Sequence, residues 1–241
     1  MIDFGKIIYL DVQKTGSSSV ARFLSACTTL PELARHRHAP ARERRPDTFY
    51  FITTRAPLAQ YISLFQYGLQ GKGGMAQRFA DAGMASYYQP GTAAFERWLG
   101  FILAPENASF FGSRYANTLP HMIGLQSYRF LTLSFIKPAQ TLRRAKTKAD
   151  LRVLYAVEKI HSRVLKTESL NQDLKNLLDS EVGAFFKPRE QVLLYLQNAK
   201  LAKKSATVAG FQPENTNPAL IAELKKREWF LYETFYPQEL N

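Results

Sequence analysis

Apolar residues fall along this chain in two rhythms, and the switches between them mark the elements. Residues 7–10, IIYL, form a short continuous apolar run of the kind that makes a buried strand. A polar stretch with glycine and hydroxyls (13–19) interrupts it, and Val20, Phe23, Leu24 and Cys27 then recur at i, i+3, i+4 and i+7. That order predicts strand, tight turn, helix. It is repeated further on. Residues 49–53, FYFIT, predict a second strand, and Pro57, suited to the first helical position, opens a helix with Leu58, Tyr61, Ile62 and Phe65 on one face.

Between the two units, 31–47 is polar and holds Pro31, Pro40 and Pro46, which predicts a mostly irregular connection. Residues 68–74 read as a glycine-rich linker and 76–111 as largely helical, with Phe95, Trp98, Leu99 and Ile102 as core positions. An alternating, strand-like run lies within 124–135, and 150–160 is helical in pattern. Residues 163–170 predict a strand leading into a helix with Leu170, Leu174, Leu177 and Leu178 on its apolar side. An amphipathic, lysine-bearing helix or pair of helices is expected over 185–206, and a last helix over 215–237. Strands followed by helices indicate an α/β fold, with a mainly parallel sheet covered by helices on both faces.

Length and composition add bounds. At 241 residues the chain fits a single domain, 1–241, with a sizeable core. No run of about 18 apolar residues is present, nor a charged segment ahead of an apolar one at the start, so a soluble, cytoplasmic protein is expected. Cys27 is the only cysteine, which excludes a disulfide framework and a cysteine-based metal site. The formal net charge of +12 favours anionic partners. Its basic clusters, 42–45, 143–148, 200–204 and 225–227, are dispersed, and no nucleic-acid motif accompanies them. Nucleic acid is therefore not expected, whereas an acidic glycan or peripheral contact with an anionic membrane surface fits the charge.

The chemistry concentrates at the first turn. A loop between a strand and a helix N-terminus stacks backbone N–H groups where the helix dipole is positive, which makes a seat for phosphate. Lys14 adds a charge at its entrance, and Ser17, Ser18 and Ser19 add donors. Lys14 precedes the loop's only glycine, Gly16, so the order is not the G-x-x-x-x-G-K-[ST] of nucleoside triphosphate loops. K-T-G-S-S-S resembles instead the 5′-phosphosulfate loop of the sulfotransferases that use 3′-phosphoadenosine 5′-phosphosulfate (PAPS). TTRAPLAQYISLFQYG resembles the 3′-phosphate segment of the same family, with Arg55 and Ser63 in its two positions and Ala56 where an Asp or Asn is usual. RHAPARE, at 37–43, resembles the histidine-bearing segment of the carbohydrate sulfotransferases. Residues 124–131, 163–170 (with Lys166 in place of an arginine) and the closing W-x-x-Y-x-x-F-Y-P carry further patches of likeness.

The resemblance implies a P-loop-like three-layer fold in which the 163–170 element is central to the sheet. It implies transfer of a sulfuryl group from PAPS to a hydroxyl acceptor, a carbohydrate or glycolipid, leaving 3′-phosphoadenosine 5′-phosphate (PAP). Thr15, Gly16, Ser17, Ser18 and Ser19 would hold the phosphosulfate, and Arg55 and Ser63 the 3′-phosphate. Lys14 would reach the bridging oxygen. A histidine suits proton removal at neutral pH, so His38 is the first candidate base and His36 the second, with Glu32 or Glu43 if a carboxylate serves. Glu168 is read as structural. No metal is required, because the sulfuryl group is singly charged and the lysine with the N–H groups balances it. Two other classes stay open: a small-molecule P-loop kinase using ATP and magnesium, and a non-catalytic module that binds an adenosine nucleotide or an acidic glycan.

Overall fold

The computed structural model describes residues 1–199 and 212–240. The chain opens with β1 (Ile2–Asp3), β2 (Ile7–Leu10), α1 (Ser17–Cys27), β3 (Ala34–Arg35) and β4 (Phe49–Thr54). Helices α2 (Pro57–Leu69), α3 (Gly74–Asp81), α4 (Thr92–Leu103) and the single turn α5 (Ser113–Ala116) follow. Next come α6 (Leu125–Ser134), α7 (Pro138–Arg144), α8 (Lys148–Glu158), β5 (Arg163–Lys166), α9 (Leu170–Leu178) and α10 (Arg189–Asn198). Beyond the undescribed segment lie α11 (Pro218–Arg227) and α12 (Trp229–Phe235), two helices where one was expected. No helix among the described residues is long and apolar enough to cross a membrane. The basic cluster at 200–204 and the end of the helix expected over 185–206 lie outside the described residues.

The fold is α/β, with one mixed sheet of strand order β3-β1-β2-β4-β5. β2 pairs β4 in parallel and β4 pairs β5 in parallel, while β1 is antiparallel to both β2 and β3. Two reversals restore direction. β3 therefore runs the same way as β2, β4 and β5, and β1 alone runs against them. The carboxyl ends of β2, β3, β4 and β5 open on the same edge of the sheet, where open α/β sheets bind ligands. β5 pairs only with β4 among the described strands, so the 163–170 element is an edge and not, as the resemblance implied, the centre. Inside the irregular 31–47 connection, β3 is a two-residue strand, too short to leave a period in the sequence.

The described residues fall into two units, 1–55 with 129–199 and 56–128 with 212–240. The first holds the sheet. All four residues of β2 and all six of β4 are buried. Ile7, Tyr9, Phe49 and Phe51 face α1, α9 and α10 in one cluster with Val20, Phe23, Leu24, Leu174 and Leu196. Tyr9 stacks on Phe51 with ring centroids 4.9 Å apart. Each such side chain contributes roughly 1.5–3 kcal/mol on burial, which is what holds α1 and the loop before it against the strands.

The second unit is helical, around Tyr61, Phe65, Phe79, Phe95, Trp98, Leu99 and Tyr232. Phe95, Trp98, Leu99 and Ile102 are core, as their spacing predicts. Residues 124–135, expected to include a strand, are helical instead. The cause is a long-range cap: the Glu228 carboxylate accepts from Gln126 N–H at 3.0 Å, Ser127 N–H at 2.8 Å, the Ser127 hydroxyl at 2.6 Å and the Tyr61 hydroxyl at 2.6 Å. Burial on several sides, including both Leu131 and Leu133, then makes the helix look like alternation.

Candidate functional site

The segments that follow β3, β4 and β5 in the first unit each meet the loop at 11–18, which follows β2. Gly16 precedes α1 in the left-handed region (φ 82) and gives the helix no side-chain cap. Ser19 and Val20 donate their N–H groups to the Gly16 carbonyl at 2.9 and 3.1 Å, closing the first turn. The N–H groups of Thr15, Gly16, Ser17 and Ser18 make no hydrogen bond among the described residues. They are the open donors of the seat. Ser19's amide, counted with them from the sequence, closes the helix instead. A Cβ at Gly16 would come 3.2 Å from Leu170, so the loop is packed from below by the start of α9.

Hydroxyls pin this loop to the strands in a chain whose proton order is determined. The Val12 carbonyl can only accept, so the Thr15 hydroxyl donates to it at 2.8 Å. Thr15 then has only lone pairs for Thr53, which donates at 2.6 Å. Thr53 in turn accepts from Tyr9 at 2.7 Å. Tyr9 stays protonated, since burial raises its pKa far above the ordinary phenol value. Thr15 thus serves as an anchor through its side chain, which leaves its backbone N–H as its one uncommitted donor among the described residues.

Lys14 takes the left-handed conformation (φ 64), as does His38 (φ 58). For residues with a Cβ this costs roughly 1–2 kcal/mol each. Strain of this kind accumulates where structure over-determines a functional position. Lys14 is half-buried, and burial, followed by the neighbouring Arg55 charge, lowers its ammonium pKa and makes it a readier proton donor. Arg55, at the end of β4, donates to the Lys14 carbonyl at 3.5 Å.

His38 is brought to the loop by Asp11, the residue directly after β2. Its backbone N–H donates to Asp11 Oδ1 at 2.9 Å. Its ring Nδ1 lies 2.7 Å from the Asp11 carbonyl oxygen. A carbonyl cannot donate, so Nδ1 carries the proton and Nε2 of the neutral ring keeps a lone pair. Asp11 itself is buried, its side chain 1% exposed against 30% for His38. The ring is therefore held in one tautomer with its basic nitrogen available.

Of the residues singled out from sequence, the structure brings Arg55 onto the loop that holds Lys14 and the 15–18 amides, and it holds His38 on Asp11 at the start of the same loop. His36 is exposed, and its N–H donates to the Met1 carbonyl at 2.9 Å. Glu32 is held by Arg35 at 2.7 and 2.5 Å, which lowers its pKa and makes it a poorer base. Glu43 is exposed. Ser63 lies buried in α2 of the other unit, two turns from the Pro57 start that Ala56 leaves without a side-chain cap. Asp11 was missed by sequence reasoning. The signal available was an acid closing an apolar strand immediately before the loop. Compared with family models, with curated proteins and with solved structures, the chain matches none.

Proposed function

We propose that this protein is a PAPS-dependent sulfotransferase of P-loop-like three-layer architecture, acting on a hydroxyl of a carbohydrate or glycolipid in the cytoplasm. The observation that carries the reading is the pairing of His38 with Asp11. A histidine whose Nδ1–H is fixed on the carbonyl at the end of β2 keeps Nε2 as a base, and the loop that opens at that carbonyl carries Lys14 and the open amides. The residues fit the donor. Four open N–H groups and the hydroxyls of Ser17 and Ser18 suit a phosphosulfate, and the left-handed Gly16 lets the backbone approach it.

In this reading, His38 Nε2 takes the proton of the acceptor hydroxyl as its oxygen forms the new bond to sulfur. The bond from sulfur to the bridging oxygen breaks, and its electron pair stays on the 5′-phosphate. Lys14 stabilises that charge as it develops, which is transition-state rather than ground-state binding. Arg55 holds the 3′-phosphate, and no role is given to nucleic acid or metal.

The test is the melting temperature of the purified chain alone, with excess PAP, and with excess ATP and magnesium, followed by sulfuryl transfer from PAPS. PAP at 100 times its Kd stabilises by about 2.7 kcal/mol, a rise of roughly 5–10 °C in a chain of this size. The rise is expected to vanish in Arg55→Ala. A rise only with ATP and magnesium would make the protein a kinase, and a rise with PAP but no transfer to any hydroxyl would make it a binding module.

A further inference from the structure

Helix α8, in the first unit, is apolar on both sides. Its inner face carries Leu151, Leu154 and Tyr155, all buried. Its outer face carries Ala149, Val153, Ala156 and Val157, all exposed, at i, i+4, i+7 and i+8, which makes one continuous stripe. Val153 is 62% exposed and Val157 75%. Of the large apolar side chains exposed among the described residues, only these two share a helix. A surface helix ordinarily turns charged residues outward, so this face has the character of one that is covered in use.

The charges around the stripe indicate by what. Lys148, Arg152 and Lys159 follow at i, i+4 and i+11 along one edge of it. Lys159 Nζ lies over the Tyr155 ring, 5.3 Å from its centroid, and donates to the Ala156 carbonyl at 3.4 Å, which keeps this side chain against the helix. Arg143 and Lys146, both exposed, extend the positive charge ahead of the first turn.

The acids of the segment 143–159 are Asp150 and Glu158, and both are engaged within the fold. Asp150 turns back to cap the helix, accepting from the N–H groups of Lys146 and Thr147 at 2.8 Å each, and those bonds hold its pKa below the ordinary carboxylate value. Glu158 accepts from Arg144 at 2.6 Å and from the Thr141 hydroxyl at 3.0 Å. An apolar stripe edged by cations complements a surface that is negative outside and apolar beneath. An anionic bilayer has that order of layers. Nucleic acid would meet the charge and leave the valines uncovered.

We propose that the outer face of α8 docks on an anionic lipid surface: Ala149, Val153, Ala156 and Val157 enter the boundary between headgroups and acyl chains, and Lys148, Arg152 and Lys159 reach the lipid phosphates. Their aliphatic stems lie along the stripe while the charged ends stay in water. The side chains of the stripe are short, so the contact is shallow and reversible. The inference does not rest on the sulfotransferase reading, since it uses no residue of the amide seat.

The test is co-sedimentation of the full chain, without PAP, with vesicles of phosphatidylcholine mixed with phosphatidylserine and with vesicles of phosphatidylcholine alone. Binding is expected to the mixed vesicles only, and to weaken with added salt. Each cation near such a surface contributes about fivefold, so Lys148→Gln combined with Arg152→Gln should weaken binding by about 25-fold. Val153→Gln combined with Val157→Gln changes no charge and should weaken it by at least about fivefold. Arg42→Gln combined with Arg44→Gln removes the same charge from another exposed cluster and should weaken it by less than about threefold. All six positions are exposed, so the melting temperatures should stay near that of the wild type.

Absence of binding to the mixed vesicles overturns the proposal. So does an equal loss in the Arg42 and Arg44 pair, which would leave only the net charge of the chain, or full binding by the valine pair. A dimer in analytical ultracentrifugation that the valine pair dissolves, with no vesicle binding, would give the face to a second copy instead. Failure of the enzyme reading shows differently: PAP has no effect, while vesicle binding and its dependence on α8 remain.

Discussion

Two helices of this protein begin alike and end their chemistry differently. α6 starts after Gly124 and offers the N–H groups of Gln126 and Ser127 and the Ser127 hydroxyl; all three are taken by the buried carboxylate of Glu228. α1 starts after Gly16 and offers the N–H groups of Ser17 and Ser18 and their hydroxyls, and the protein supplies no carboxylate to them among the described residues. The helix dipole and the unsatisfied amides favour an anion at both ends. One anion is built in and holds the fold together. The other must come from outside, so the unsatisfied start is the one that can bind.

The contrast breaks most visibly if the internal anion is removed. Glu228→Ala leaves three buried donors and the Tyr61 hydroxyl without their acceptor, at a cost of roughly 3–5 kcal/mol. In urea titration the variant should lose at least half of a typical stability of about 5–15 kcal/mol at the lower end of that range. A loss under about 1 kcal/mol would show that the carboxylate is not what holds α6. Gly124→Ala acts on the same contact, because its Cβ would collide with Glu228 Oε1. No deletion at α1 should approach this effect.

At α1 the large effect is on rate. Lys14→Ala should lower kcat by roughly 10²–10³ with little change in PAP affinity, whereas Arg55→Ala should act chiefly on affinity. Steady-state kinetics with PAPS separates the two. Equal losses of affinity in both, with kcat at saturation intact, would remove Lys14 from the chemistry.

The two starts were unequally legible. Residues 7–27 carry their strand, turn and helix in local periodicity, and the loop's donors lie within six consecutive positions, so sequence alone pointed to this turn. α6 depends on a carboxylate about a hundred positions away, and nothing local distinguishes its buried-all-round helix from alternation. Sheet order is equally non-local: β1 and β3, each only two residues long, extend the sheet beyond β2, while no described strand pairs on the outer side of β5. Asp11 went unnoticed because a single acid has no period. Its role appears only when the chain folds His38 back over it.

A similar contrast divides two histidines. His38 is partly exposed and oriented by hydrogen bonds, whereas His161 is buried against Tyr155, whose hydroxyl lies 3.3 Å from its Nε2. Burial first, and the nearby Lys159 charge second, push the His161 pKa down from 6.5 to about 3. In the folded state it is neutral; the unfolded chain binds its proton below about 6.5. Stability is therefore complete above pH 6.5 and falls as pH drops toward 3, by about 1.4 kcal/mol per unit from this group. At pH 5 the loss is roughly 2 kcal/mol. His161→Gln should flatten that slope between pH 6 and 5, and an unchanged slope would mean that other groups set the acid limit.

The two helix starts can be set directly against each other by making one substitution at both. Ser127→Ala deletes a hydroxyl that donates to a buried carboxylate at 2.6 Å, and should cost roughly 1.5–3 kcal/mol of stability. Ser17→Ala deletes a hydroxyl of the open seat, with no internal acceptor to strand, and should change stability by less than about 0.5 kcal/mol. In the presence of PAP the ranking should invert: Ser127→Ala keeps its full ligand-induced rise in melting temperature once its lower starting point is subtracted, and Ser17→Ala loses part of it. If Ser17→Ala instead destabilised the free protein as much as Ser127→Ala, the α1 start would be a structural cap like its counterpart. Its open amides would then have no claim to a ligand.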